Sequence, residues 1–169
     1  MPISAYLKAI REKVGHDLVA LTAVSISVFN HQGSLLLGQD AETGSWGLPG
    51  GAIDPSEQPA DAAVRECYEE TGLLVRLDEL IGVFGGPEFL VRYPHGDVAY
   101  YTVIAFRASI IGGLQQPGDG EMSALQFFGA TECDGLNVSP SSRVIAKQAF
   151  AGARRPYFRP ACWYPEKDI

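Results

Sequence analysis

Gly51-Ala-Ile-Asp-Pro-Ser-Glu57, followed by Arg65-Glu66-Cys67-Tyr68-Glu69-Glu70-Thr71-Gly72-Leu73, gathers four glutamates and one arginine between two glycines that can interrupt regular structure. On a helix of about 3.6 residues per turn, Glu66, Glu69 and Glu70 point within roughly 100° of one another, so three carboxylates share a face. Like charges at that spacing weaken a helix by roughly a few tenths of a kcal/mol per pair, and a cation between them removes the penalty. Hard oxygen donors suit Mg²⁺, Mn²⁺ or Ca²⁺ in preference to zinc or copper. Read from the residues alone, the stretch is a divalent-metal site on a helix.

The pattern Gly, five residues, Glu, seven residues, Arg-Glu, an apolar residue, any residue, Glu-Glu, any residue, Gly, an apolar residue resembles the signature box of the Nudix hydrolases. Gly51, Glu57, Arg65, Glu66, Glu69, Glu70, Gly72 and Leu73 fill it without a gap. Cys67 is the one departure, standing where the family usually has an aliphatic residue; a free Cys behaves as a small buried hydrophobe, so no loss is expected. The lead-in Trp46-Gly-Leu-Pro-Gly-Gly51 is similar to the family's approach to the box, and the likeness extends more loosely from Leu18 to Phe150. The resemblance implies an α/β (α+β) fold, an α/β/α sandwich with a mixed, partly antiparallel sheet between helices.

Length and charge agree with one domain over residues 1–169: an N-terminal helix within 1–17, a core over 18–153 with the box at 51–73, and an irregular tail over 154–169. The formal net charge of −7 argues against nonspecific nucleic-acid binding, which draws on phosphate neutralisation by Lys and Arg. No apolar run approaches the ~20 residues of a membrane span, and no secretion signal is read at the start. Cys67, Cys133 and Cys162 have no metal-binding spacing and make an odd count, which suits reduced thiols in a cytoplasmic protein.

Apolar residues at helical spacing predict a helix over Ile3 to Val14, ended by Gly15. Val19 to Phe29 and Ser34 to Leu37 read as strands joined by the turn Asn30-His-Gln-Gly33. The box helix is predicted from Pro59 to Thr71, with proline at its first position, Asp61 at the positive end of the dipole, Gly72 as its stop, and Gln58 as a poor N-cap. Ala60, Ala63, Val64 and Cys67 form an apolar stripe expected to pack on the sheet while the glutamates look outward. Further strands are expected near Leu77 to Phe84, Glu88 to Arg92, Val98 to Ala108 and Ala124 to Phe128, and a closing helix over Ser141 to Ala151.

A diphosphate resists hydrolysis because its oxygens repel an incoming nucleophile; clustered carboxylates can hold a cation that offsets that charge. The resemblance implies that the Gly51 carbonyl, Glu66, Glu69 and Glu70 hold Mg²⁺ (or Mn²⁺), with Glu57 assisting and Arg65 orienting the cluster, for which its spacing to Glu69 is suited. It makes Glu70 the first candidate for general base. Glu121, ahead of a late strand, is the second, and also a candidate ligand. Phe84, Phe89, Tyr93 and Tyr101 are candidates for stacking a base, with core packing as the competing role. Gly85 to Glu88 read as a tight loop, either at the edge of the cleft or a plain turn, and Arg92 and Arg107 are the nearest candidate phosphate contacts, with strand-end surface charge as the competing role.

The implied reaction is hydrolysis of the diphosphate linkage in a nucleoside diphosphate joined to another moiety. Pro87, fourteen residues past Leu73, resembles the proline found about fifteen residues past the box in the family's ADP-ribose-cleaving branch, and that resemblance implies an ADP-ribose-like substrate. A noncatalytic nucleotide-binding sensor or scaffold of the same fold is the alternative. The expected partner is that small-molecule nucleotide, with no nucleic acid and no membrane, and pairing into a homodimer is expected on the resemblance alone.

Overall fold

The computed structural model describes residues 4–118, 120–152 and 154–163. Its elements are α1 (Ala5–Val14), β1 (Val19–Phe29), β2 (Leu35–Asp40), β3 (Trp46–Gly47), α2 (Pro59–Thr71), β4 (Leu73–Phe84), β5 (Leu90–Arg92), β6 (Val98–Gly113), β7 (Met122–Phe128), α3 (Ala130–Gly135) and α4 (Pro140–Ala151). Ile3, where the first predicted helix begins, lies outside the described residues. Ser4 caps that helix by accepting a hydrogen bond from Leu7 N at 3.2 Å, and Gly15 closes it by donating to the Arg11 carbonyl at 2.8 Å.

One mixed sheet runs β3-β2-β1-β6-β4, with β5 added to β6 and β7 to β2. β1 and β6 are parallel from Val19↔Ala99 to Phe29↔Ser109, while β4 and β7 join antiparallel to β6 and β2. Ala23 to Val28 are buried without interruption, as expected of a central strand covered on both faces. Side chains alternate along it. Val24, Ile26 and Val28 pack with Ala62, Ala63 and Cys67 of α2 on one face. Ala23 shares the opposite cluster with Leu35, Leu37 and, from α4, Ile145, Ala146 and Ala149. The fold is therefore the sandwich anticipated from the resemblance, with mixed strand directions.

Several boundaries differ from expectation. β4 begins at Leu73, not Leu77, because Leu73 to Arg76 pair with Gly113 to Ser109 beyond the predicted end of β6. The segment expected as a strand from Glu88 opens as a 3-10 turn, Pro87–Phe89, since proline fixes the first turn and cannot donate to a ladder. On α2, Ala62 takes the buried position assigned to Ala60, which is exposed. The tail is irregular but anchored: Tyr157 N donates to Ile81 O at 2.7 Å, Val83 N donates to Tyr157 O at 3.0 Å, and the Tyr157 ring stacks on Phe84 at 5.1 Å. Among the described residues no helix is long and apolar enough to cross a membrane.

Candidate active site

α2 carries the box glutamates into a position the sequence alone misplaces. Glu66 and Glu70 do not look out to solvent; they are 2% and 4% exposed, beneath the backbone of Gly50 and Gly51. The Gly50 N–H donates to Glu70 Oε2 at 2.9 Å, fixing that carboxylate. A methyl group at Gly51 would lie 2.5 Å from the Glu66 carboxyl carbon, so any side chain here would have to displace that buried carboxylate. The Gly51 carbonyl accepts from Val24 N at 2.9 Å, which ties the loop to β1.

Arg65 gathers the remaining charge. Its Nε and Nη2 donate to the two oxygens of Glu57 at 2.7 and 2.8 Å. Nη1 donates to Glu66 at 2.8 Å and to Glu69 at 3.1 Å. The bidentate pair with Glu57 is the geometry in which arginine binds carboxylate most tightly, and it holds the Glu57 carboxyl below the usual range. Burial pushes the Glu66 carboxyl up despite the guanidinium beside it, and Arg65 is pushed up chiefly by Glu57. Arg65 thus pairs with Glu57 and Glu66 in addition to the expected Glu69.

The C-terminal end of α2 is closed by a segment remote in sequence. The carbonyls of Glu70, Thr71 and Gly72 accept from the backbone of Gly118, Gln116 and Leu114 at 2.9, 3.0 and 3.2 Å. These acceptors would otherwise lack partners at a helix end. Cys67 is fully buried between α2 and the sheet; burial raises its thiol to about 11, so the departure from the aliphatic pattern leaves an unreactive packing group.

A cavity of about 520 Å³ opens over Gly50, Gly51, Arg65, Glu66 and Glu70. Glu121 and Tyr101 reach it, but Glu57 and Glu69 stand behind it on Arg65. Sequence reasoning missed the walls: the α1 cap Ser4, Leu7 and Arg11 of α1, and Asp40 to Glu42 at the end of β2. No local pattern marks them, because they arrive by tertiary packing. Tyr93 O–H and Tyr101 O–H are 2.8 Å apart, and burial pushes the Tyr101 phenol up so that it stays protonated.

Four proposed substrate contacts sit elsewhere. Phe89 is 1% exposed in the core beside Phe84, where its ring cannot receive a base. Arg107 lies over the Phe29 ring at 3.8 Å and donates to Ala149 O, bracing β6 against α4. Glu88 pairs with Arg159 of the tail at 3.3 Å. Arg92, on β5, is not among the residues lining the cavity. Trp46 packs edge-on against Phe128 at 4.9 Å.

The box glutamates and the Gly51 carbonyl offer oxygen donors, with the Glu66 and Glu70 carboxylates buried, a set that fits a hard divalent cation. Among the described residues no three such groups already surround one point; Glu57, Glu66 and Glu69 are drawn together by Arg65 instead.

A family model described as NUDIX domain matches residues 20–148. The chain belongs to the Nudix family. Among curated relatives, an ADP-ribose pyrophosphatase of Methanocaldococcus jannaschii is 39% identical over 85 residues, covering 50% of this chain and 46% of that protein. A putative 8-oxo-dGTP diphosphatase of Bacillus subtilis is 42% identical over 64 residues, covering 38% of this chain and 43% of that one. The chain spans about half the length of the curated relatives it matches. Among solved structures, a UDP-X diphosphatase superposes with a TM-score of 0.64 at 22% identity, over 89% of this chain and 72% of that one. An ADP-ribose pyrophosphatase from Streptococcus suis superposes at 0.62 with 21% identity, over 81% and 96%. At such identities these superpositions speak to the Nudix fold alone.

Proposed function

We propose that this Nudix protein hydrolyses the diphosphate linkage of a nucleoside diphosphate joined to a second moiety, with Mg²⁺ or Mn²⁺ held by Glu66, Glu69, Glu70 and the Gly51 carbonyl, and with Glu57 and Glu121 as supporting groups. The observation that carries this reading is the pair of buried carboxylates, Glu66 and Glu70, set under the Gly50–Gly51 backbone and facing a cavity of about 520 Å³. When bound, a divalent cation offsets phosphate charge and lowers the pKa of water at the site. In this reading Glu70 accepts a proton from the attacking water; the hydrogen bond from Gly50 N–H that fixes one of its oxygens supports the assignment. Arg65 holds Glu57, Glu66 and Glu69 in register and is a positioning residue. Tyr101, with Tyr93, supplies a neutral polar contact for substrate.

An ADP-ribose-like substrate is favoured, on the ADP-ribose pyrophosphatase among the curated relatives and on the proline that follows the box. The chain is read as cytoplasmic on its odd set of free cysteines. Incubating the protein with ADP-ribose and other nucleoside diphosphate conjugates plus Mg²⁺ or Mn²⁺, then measuring phosphate released by a coupled phosphatase, tests the reading. Release is expected for at least one conjugate, and none across the panel would contradict it.

A further inference from the structure

The Gly50–Gly51 backbone over Glu66 and Glu70 is gripped from two sides. On one, β1 donates to it, Ile26 N to Pro49 O at 2.8 Å and Val24 N to Gly51 O at 2.9 Å. On the other stand residues leading into α4. Trp46 N donates to Asn137 O at 2.8 Å, Ser139 N donates to Trp46 O at 2.9 Å, and Trp46 pairs with Val138 as an isolated parallel bridge. Leu48 N then donates to the Ser142 hydroxyl at 3.0 Å, a contact between buried residues 94 positions apart. It is the one bond of this set that a side chain makes. Ser142 lies inside α4, whose N-cap is Ser139, so its hydroxyl is not the cap of that helix. A buried hydroxyl is unfavourable unless it is bonded, and here the bond goes to the box loop.

We propose that Ser142 is a positioning residue for the box: by accepting from the Leu48 amide it sets the Pro49–Gly50 backbone, and through Gly50 N–H it sets the Glu70 carboxylate. The inference rests on the function proposed above and adds to it a residue from outside the box. Only Pro49 separates Leu48 from Gly50, and the proline ring fixes φ, so a shift at Leu48 passes on with little slack. Gly50 N–H donates to Glu70 Oε2 at 2.9 Å. Without the Ser142 hydroxyl, the Leu48 N–H is a buried donor that has lost its acceptor, a cost the loop relieves by moving. A displacement of about 1 Å at a reacting group can slow a reaction about 10²-fold.

Two measurements test it, one independent of turnover. Ser142→Ala removes the acceptor with little change in volume. Ile145→Val, also buried on α4, is the control, because it trims the same helix and keeps every hydrogen bond named above. First, amide hydrogen exchange of the metal-free protein is followed by NMR. In Ser142→Ala the Leu48 and Gly50 amides are expected to exchange at least about tenfold faster, relative to Ala105 in β6, than in wild type. In Ile145→Val that ratio is expected to stay as in wild type. Second, steady-state kinetics are measured on the conjugate hydrolysed fastest in the panel above. Ser142→Ala is expected to lower kcat about tenfold with KM changed less than about twofold, and Ile145→Val to keep kcat. Wild-type protection of Gly50 in Ser142→Ala overturns the proposal, as does full kcat despite lost protection or an equal fall of kcat in Ile145→Val. If wild type hydrolyses no conjugate while Gly50 loses protection in Ser142→Ala, the enzymatic reading falls and the brace on Glu70 stands.

Discussion

Glu70 and Glu66 differ from ordinary helix-surface glutamates because a backbone loop covers them, and their chemistry follows from that cover. Glu70→Gln keeps the size and the Gly50 contact but removes the proposed proton acceptor. It is expected to lower kcat by about 10²-fold or more, measured at saturating ADP-ribose and Mg²⁺, with the thermal midpoint nearly unchanged. Gly51→Ala acts differently. Its methyl group must displace the Glu66 carboxylate, 2.5 Å away, so both activity and stability should fall, the latter by about 1–3 kcal/mol in denaturant melts. The positions of these residues were readable as a motif, down to the pairing of Arg65 with Glu69. Their burial was not readable, since helical periodicity ranks faces by polarity, and a polar face covered by a glycine loop looks the same as one facing water. Phe89 shows the converse: an aromatic near a proposed cleft carries no mark that its ring turns into the core.

At the scale of elements, α2 was legible at both ends because Pro59 and Gly72 are local signals. What secures its C-terminal end was not, because Leu114 to Gly118 come from a loop more than forty residues on. A Cβ at Gly118 would meet the Glu69 carbonyl oxygen far inside contact distance. Gly118→Ala should therefore loosen that closure, lowering the thermal midpoint by several degrees and activity with it, through displacement of Glu69 and Glu70. Helix α1 was predicted as an element, yet its role as a cavity wall depends on Asp97, which pairs with Arg11 and with His16 at 2.6 Å. The hydrogen bond from His16, followed by smaller contributions from His95 and Arg11, holds the Asp97 carboxyl below the usual range. A group depressed in the folded state stabilises fully above its unfolded pKa and loses that contribution as pH falls through its folded pKa. The midpoint difference between wild type and Asp97→Asn should accordingly shrink as the pH is lowered through the depressed folded-state pKa of Asp97. A difference that grows in acid would contradict the latch.

For the whole molecule, the central sheet does two jobs. β1 and β6 run parallel through the core, and their edges present Gly50–Gly51, Tyr101 and the α1 latch to one cavity. The architecture was anticipated because the box, the alternation of β1 and the order of elements all agree. The cavity walls were not, because they join residues separated by most of the chain. The edge strand β4 is covered by Tyr157 over Ile81 to Val83, which blunts an exposed ladder. Removing the described tail from Arg154 onward should uncover Phe84 and lower stability while sparing the chemistry of the box.

In the function proposed for this protein, the box carboxylates act on a diphosphate through a bound divalent cation. The most direct measurement follows AMP and ribose 5-phosphate formation from ADP-ribose while Mg²⁺ or Mn²⁺ is titrated into chelator-treated protein, with Glu70→Gln alongside. Rates that rise saturably with metal, vanish on chelation and collapse in the variant are the predicted result. Full turnover in excess chelator, or full turnover by Glu70→Gln, would contradict it.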